Sequence, residues 1–289
     1  MWSALRVIAI DIKLAHTIFA LPFAILSAFL AARGWPRAGT LLWILVAMVA
    51  ARSSAMAFNR WLDHGIDSEN PRTRGRALPA GRVRRAEVAA FTIVSAAIFL
   101  LAAAMLNRLC FWLSIPVLVV LLGYSATKRF TSGAHLVLGM ALGLAPLGAW
   151  LAVTGRFDDR PELPILIGLA VLLWVAGFDI LYSCQDHDFD RRRGLHSIPV
   201  RFGILRSIRI AASFHLLMVV LLIAVAFLSP LLGVGFAVGV SAVAVLLAYE
   251  HRLVWSGNLE RLDVAFFNVN GAVSLVLMLA GILDVFRLG

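Results

Sequence analysis

The chain is 289 residues long, 61% hydrophobic and 15% charged, with a formal net charge of +10. Soluble domains carry about 45–50% apolar and about 25% charged residues, so the composition excludes a soluble globular protein and points to an integral membrane one. Apolar–polar alternation at period 2 is absent, which excludes an outer-membrane barrel, and two cysteines, Cys110 and Cys184, make neither a disulfide framework nor a zinc spacing.

Apolar stretches near or above the ~20 residues that span a bilayer recur along the whole length. They predict helices near 14–32, 39–60, 86–106, 109–126, 134–154, 163–185, 207–228, 230–249 and 264–286. The fold class is therefore all-α and polytopic, with about nine transmembrane helices in one domain over 1–289. Gly34 with Pro36, Pro161 with Pro164, and Pro230 punctuate the joins. Pro22, Pro116 and Pro146 fall inside predicted helices, where neighbouring groups in a membrane bundle re-satisfy the freed carbonyls. Arg6 and Lys13 precede the first apolar run, as in a signal peptide. At ~19 residues, however, that run exceeds the roughly 7–15 of a signal h-region and is expected to stay as a helix.

Twenty-four of the 26 basic residues are arginines, and most lie in short polar loops. This pattern belongs to membrane topology and to lipid or diphosphate headgroups, and it argues against nucleic acid as a partner. In the nine-helix topology the N-terminus and the loops 61–85, 127–133, 186–206 and 250–263 share one side and hold 17 Lys and Arg; the other side holds 6. The positive-inside bias places the first side in the cytoplasm, as expected for a bacterial inner-membrane protein.

Acidic residues are scarce, 16 in all, yet six of them fall in two short segments on that same side, Asn59–Asp67 and Asp179–Asp190. Carboxylates at the edge of a bilayer are expensive and mark functional sites. Asn59, Asp63 and Asp67 are spaced i, i+4, i+8, which stacks them on one face of a continuing helix. Asp186 and Asp190 repeat the spacing, with Tyr182 one turn earlier and Asp179 nearly two. Carboxylates with an amide oxygen are hard ligands suited to Mg²⁺, which is held by one or two carboxylates plus substrate phosphates. A solvated pair of helix ends is the bland alternative; matched spacing, side and flanking loop speak against it. No His or Cys spacing suggests a transition metal, and His64 and His187 read as polar flanks.

Each segment runs into arginines, Arg72, Arg74 and Arg76 after the first and Arg191, Arg192 and Arg193 after the second. Guanidinium groups take diphosphate oxygens directly while carboxylates chelate the metal. Arg72, with Lys128 and Arg129 in the turn Tyr124–Arg129, is the leading diphosphate-binding candidate. Arg52 lies inside the second helix, seven residues before Asn59, and an arginine there should find an anionic partner, a substrate or a site carboxylate. His16, near the cytoplasmic end of helix 1, is read first as a polar interhelical contact and second as a contact to an aromatic substrate. Phe19, Phe23, Trp43, Phe111, Trp112 and Trp174 are candidates to line an isoprenoid tunnel, with lipid-facing or interfacial positions as the alternative.

At these residues the chain resembles the UbiA superfamily of intramembrane prenyltransferases. Asn59, Asp63 and Asp67 match its Asn-x-x-x-Asp-x-x-x-Asp motif, and Asp179, Tyr182, Asp186 and Asp190 match its Asp-x-x-Tyr-x-x-x-Asp-x-x-x-Asp motif. Arg72–Gly81 is similar to the family's Arg-Thr-x-x-Arg-x-Leu-Pro-x-Gly element, except that Ala77 stands where a second proline is frequent. The resemblance implies a bundle around a central cavity, with Mg²⁺ and a polyprenyl diphosphate at the cytoplasmic mouth. It further implies that Asn59, Asp63, Asp67, Asp186 and Asp190 ligate the metal, with Asp63, Asp186 and Asp190 catalytic, and that an allylic cation alkylates a small aromatic acid. Asp179, Tyr182, Arg52 and His16 are the acceptor-side candidates. Within the family the pattern is most like the 4-hydroxybenzoate polyprenyltransferases of ubiquinone biosynthesis. The segment His16–Ala24 also resembles relatives that prenylate a hydroxynaphthoate for menaquinone. A different class, a transporter with two acidic gates, draws on the 123-residue offset between Asp63 and Asp186. Nine helices divide poorly into two repeats, and these acids sit at the mouth.

Overall fold

The computed structural model describes residues 2–12, 19–157, 160–255 and 268–289, and every regular element among them is a helix. Contacts divide the chain into two compact units, Met1–Thr17 with Leu42–Ala126 and Ile18–Leu41 with Thr127–Gly289. Eight of the described helices are long and apolar enough to cross a membrane. The ninth predicted span, 14–32, is represented by the 12-residue helix Leu21–Ala32, and part of it lies outside the described residues.

The first unit contains α1 (Trp2–Asp11), most of α3 (Ala38–Leu62), α4 (His64–Glu69), α5 (Arg85–Leu106) and α6 (Arg108–Thr127). Helix α1 was not expected from the apolar runs. It packs Ile8 and Ile12 against Ala57 of α3, Val88 of α5, and Ala77, Leu78 and Val83 of the loop between them. That loop turns at Gly81, whose φ of 69° is left-handed and suits glycine. Burying Ala77 and Leu78 fixes the arginine-rich stretch just before them to the membrane helices, because apolar area removed from water is worth about 25 cal/mol per Å².

The second unit contains α2 (Leu21–Ala32), α7 (Ala134–Thr154), α8 (Glu162–Ser183), a 3₁₀ turn (Cys184–Asp186), α9 (His187–Arg192), α10 (Ile198–Phe202), α11 (Ile204–Leu228), α12 (Val234–Val254) and α13 (Asn270–Leu288). Helix α2 starts with Pro22 in its first turn, where a missing N–H costs nothing, and ends at Arg33 in a left-handed conformation. Helices α7 and α8 approach closely because Gly139 and Gly143 meet the α8 backbone at Leu172 and Gly168, the small-residue packing common between membrane helices.

Several polar groups inside this bundle are hydrogen-bonded to one another. Trp174 is fully buried; its Nε1–H donates to Asn270 Oδ1 at 2.7 Å, and Asn270 Nδ2 donates to Glu250 Oε1 at 2.8 Å. His215 Nε2 lies 3.2 Å from the Trp174 carbonyl and so carries a proton toward it; His215 Nδ1 then accepts from His251 Nε2 at 3.0 Å. This hub ties α8, α11, α12 and α13 together, and Gly177 leaves the room that the His215 ring occupies. Asp284, an acid far from both motifs, accepts from the N–H groups of Gly233 and Phe236 at 2.8 and 2.6 Å and so satisfies the start of α12. Phe19, Phe23 and Phe178 surround Trp174 with ring centroids 5.2–6.4 Å away. These aromatics, three of them candidates for a tunnel lining, are core residues, whereas Trp112 is exposed on the outside of its helix.

Candidate diphosphate and acceptor site

The expectation of an unbroken helix through Asn59, Asp63 and Asp67 is corrected in a specific way. Helix α3 ends at Leu62, Asp63 takes a non-helical conformation (φ −88°, ψ 6°), and α4 begins at His64. Backbone bonds still run from Asp63 N–H to Asn59 O at 2.9 Å and from Asp67 N–H to Asp63 O at 2.8 Å, so the three side chains keep roughly the predicted succession. Asp63 and Asp67 are both buried. Asn59 Nδ2 donates to Asp63 Oδ2 at 3.1 Å, and Asn59 Oδ1 accepts from Arg60 Nη1 at 3.0 Å. Asp67 accepts from Arg76 Nη1, 2.8 Å from both carboxylate oxygens.

One residue that sequence spacing did not single out organises this segment. Asp11, at the end of α1, lies 3.4 Å from Arg60 Nε and accepts the Ala77 N–H at 2.8 Å. Arg60 and Ala77 in turn adjoin Asn59 and Arg76. Asp11 thus links the start of the first segment to the arginine-bearing loop that follows it. The signal was an acid just ahead of an apolar run, uninterpretable without its distant partners.

The second segment repeats the build in the other unit. Helix α8 ends at Ser183, a 3₁₀ turn covers Cys184–Asp186, and α9 opens at His187 with Asp186 in the flanking position (φ −95°, ψ 0°). In both segments an Asp closes the approach from a membrane helix and opens a six-residue helix, and neither Asp side chain caps the helix it precedes. Tyr182, Asp186 and Asp190 are half-buried. His187 Nδ1 is 2.8 Å from Oδ1 of the exposed Asp188. Asp179 Oδ2 lies 2.7 Å from His135 Nδ1, a partner 44 residues away.

Among the basic candidates, Arg72 and Arg129 are exposed and Lys128 is half-buried. The Lys128 carbonyl accepts the His196 N–H at 2.8 Å, which fastens the turn carrying Lys128 and Arg129 to the loop that follows the second acidic segment. Arg52 lies within α3, its Nε buried without a hydrogen-bond partner, and no carboxylate pairs with it among the described residues. His16 lies outside the described residues. The structure gathers Asn59, Asp63, Asp67 and Arg76 in the first unit and Asp179, Tyr182, Asp186 and Asp190 along one continuous segment of the second.

The profile of the UbiA prenyltransferase family matches residues 20–272 and so spans both units and both acidic segments. The chain belongs to the UbiA prenyltransferase family. It is 33% identical over 251 residues to a 4-hydroxybenzoate octaprenyltransferase of Aeromonas hydrophila, covering 86% of this chain and 85% of that one. It is 31% identical over 242 residues to the enzyme of the same name from Cupriavidus necator, covering 83% and 82%. A UbiA homolog from Aeropyrum pernix, solved without ligand, superposes with a TM-score of 0.85 at 35% identity, covering 93% of this chain and 98% of that one. A UbiA homolog from Archaeoglobus fulgidus, solved with GPP and Mg²⁺, shares the fold with a TM-score of 0.69 at 19% identity, covering 98% and 99%. The chain is therefore an enzyme, a prenyltransferase, and the transporter reading falls.

As a UbiA prenyltransferase, this chain can be tested for its fit to a divalent cation. Among the described residues no three His, Cys, Asp or Glu side chains converge. The donors available are one amide and several carboxylates, all hard oxygens, few in each segment. That set suits Mg²⁺, which completes its shell with water and phosphate oxygens. A guanidinium nitrogen already sits astride the Asp67 carboxylate, so this side chain is built to meet positive charge. Ala77, the departure from the UbiA pattern, also has a cause: its N–H is the donor to Asp11, and a proline there has no N–H to give.

Proposed function

We propose that the protein transfers a polyprenyl group from a polyprenyl diphosphate to 4-hydroxybenzoate, in the ubiquinone branch of quinone biosynthesis, at the cytoplasmic face of a bacterial inner membrane. The observation that carries this reading is the repeated build of the two acidic segments, in which a non-capping Asp stands between a membrane helix and a six-residue helix. The names of the Aeromonas and Cupriavidus relatives support the acceptor, and the 17-to-6 asymmetry of Lys and Arg supports the orientation. The two units would serve as one catalytic domain, since the family match runs across both.

Asn59, Asp63, Asp67, Asp186 and Asp190 would hold Mg²⁺, which supplies Lewis-acid neutralisation of the diphosphate when bound. Arg72, Lys128 and Arg129 offer donors for diphosphate oxygens, and they stabilise the charge that grows on the leaving group. Arg76 is already beside Asp67 and would be able to exchange that carboxylate for a phosphate oxygen. Arg52, a guanidinium with a buried and unsatisfied Nε, is suited to the carboxylate of the aromatic acid. Leaving a buried donor unpaired costs about 1–3 kcal/mol, which an anionic acceptor would return on binding.

The test is direct. The protein purified in detergent is incubated with Mg²⁺, geranyl diphosphate and one ring acid at a time. The reading expects a 3-prenylated product from 4-hydroxybenzoate; a product from 1,4-dihydroxy-2-naphthoate alone would move the enzyme to menaquinone biosynthesis, and no product from any aromatic acid would refute the reading.

A further inference from the structure

Arg60 follows Asn59 directly in α3 and is buried, with a side chain 8% exposed. A guanidinium taken out of water needs an anion beside it, because an uncompensated buried charge is strongly destabilising. Its nitrogens face two different partners. Nε forms an ion pair with Asp11 Oδ2 at 3.4 Å, and Nη1 donates to Asn59 Oδ1 at 3.0 Å. The other oxygen of Asp11 accepts the Ala77 N–H at 2.8 Å. Asp11 and Arg60 also share the lining of a small cavity whose other walls are apolar side chains.

Each link in this chain has one chemical sense. A guanidinium can only donate, so the atom of Asn59 that meets it is the amide oxygen. The amide nitrogen is then the end that donates to Asp63 Oδ2, at 3.1 Å. Arg60 thereby decides which way the Asn59 amide faces, and takes one of the two lone pairs on its oxygen. On its other side Asp11 fixes Ala77, the neighbour of Arg76, whose Nη1 lies 2.8 Å from both oxygens of Asp67. Helix α1, which precedes every predicted span, thus reaches Asn59 and Asp63 through Arg60, and Asp67 through the loop.

We propose that Arg60 and Asp11 are positioning residues for the first acidic segment. Asp11 holds the guanidinium that orients the Asn59 amide, and through that amide the Asp63 carboxylate, toward a divalent cation. The proposal rests on the functional reading above for the cation that these two side chains would hold. Arg60 is set apart from Arg72, which is exposed: its charge is matched by Asp11 and serves a protein amide, not the diphosphate.

The experiment measures the Kd of Mg²⁺ by calorimetry in the presence of geranyl thiolodiphosphate, an analogue that resists ionisation. Wild type, Arg60→Lys, Asp11→Asn and Asp11→Glu are compared in detergent, with kcat on 4-hydroxybenzoate and the melting temperature measured alongside. Arg60→Lys keeps a charge beside Asp11, but one ammonium cannot face Asp11 and Asn59 as a planar fork does. It should weaken Mg²⁺ binding about tenfold or more and lower kcat by a like factor, the usual worth of a group that orients a metal ligand. The KM for 4-hydroxybenzoate should not move. Asp11→Asn keeps an acceptor for Ala77 but loses the charge on Arg60, and should show the same pattern. Asp11→Glu restores that charge and should recover most of the loss. A merely structural clasp would lower the melting temperature while the folded variants keep wild-type Kd and kcat, and that result overturns the proposal. So does a loss in Asp11→Glu as large as in Asp11→Asn. If Asp11→Asn does not fold, Arg60→Lys decides by itself. Wild type that binds Mg²⁺ with the analogue yet prenylates no ring acid sinks the functional reading, and the Kd values still decide this proposal. Wild type that binds no Mg²⁺ sinks both.

Discussion

Arg52 and Ala77 each make one local choice whose consequence can be measured alone. Arg52 lacks an acidic partner inside its unit, and its Nε is buried without a bond. Arg52→Ala should therefore raise the KM for 4-hydroxybenzoate about 10- to 100-fold, the loss of a charge-assisted bond of about 1.5–3 kcal/mol. The KM for geranyl diphosphate should stay put; an equal rise in both would assign Arg52 to the diphosphate instead. Ala77→Pro removes the N–H that Asp11 accepts, and among the described residues Asp11 then keeps Arg60 as its partner. A loss of about 1–2 kcal/mol is expected, visible as a lower melting temperature in detergent and as a weaker affinity for geranyl diphosphate, since the same loop carries Arg76. Neither Asp11 nor His135 was legible in the sequence. Each is a lone ionisable residue, and what gives it meaning is a partner 66 or 44 positions away.

Among the elements, the long apolar runs were legible because length and composition alone decide whether a helix can cross a bilayer. The eight long helices fall close to eight of the predicted spans. Helix α1 was missed because ten residues with a mixed pattern carry no such signal. The breaks at Asp63 and Asp186 were missed for another reason. A spacing of i, i+4 is the same whether a helix continues or stops for one residue and restarts, and the backbone bond from Asp67 to Asp63 survives the interruption. The polar hub offers a test at this scale. Asn270→Ala removes the acceptor of Trp174 and the donor to Glu250 together. Interhelical hydrogen bonds in membranes average about 0.6 kcal/mol and reach about 1.7. Two lost at one buried point should destabilise by about 1–2 kcal/mol, measured by thermal unfolding in detergent. Gly177→Ala should do as much or more, because its methyl group would enter the space of the His215 ring. An unchanged melting point in both would show that the hub does not tie the helices together.

At the level of the whole molecule, the two acidic segments lie in separate compact units, each with its own core. The motif pair was fully legible, since Asn59, Asp63 and Asp67 and then Asp179, Tyr182, Asp186 and Asp190 stand at fixed spacings in sequence. The pairing of Asp67 with Arg76 and of Asp179 with His135 was not, because loops and helix starts bring those partners in. The two segments share a build but differ in what holds their carboxylates, a guanidinium in one and an imidazole in the other. The most direct measurement is Mg²⁺-dependent transfer from radiolabelled geranyl diphosphate to 4-hydroxybenzoate by wild type, Asp63→Ala and Asp186→Ala, each verified as inserted and monodisperse. The account predicts turnover in wild type that chelation of Mg²⁺ abolishes, and loss of turnover in each variant. Retention of more than about a tenth of wild-type activity in both variants, where a lost metal ligand typically costs far more than that, would contradict it.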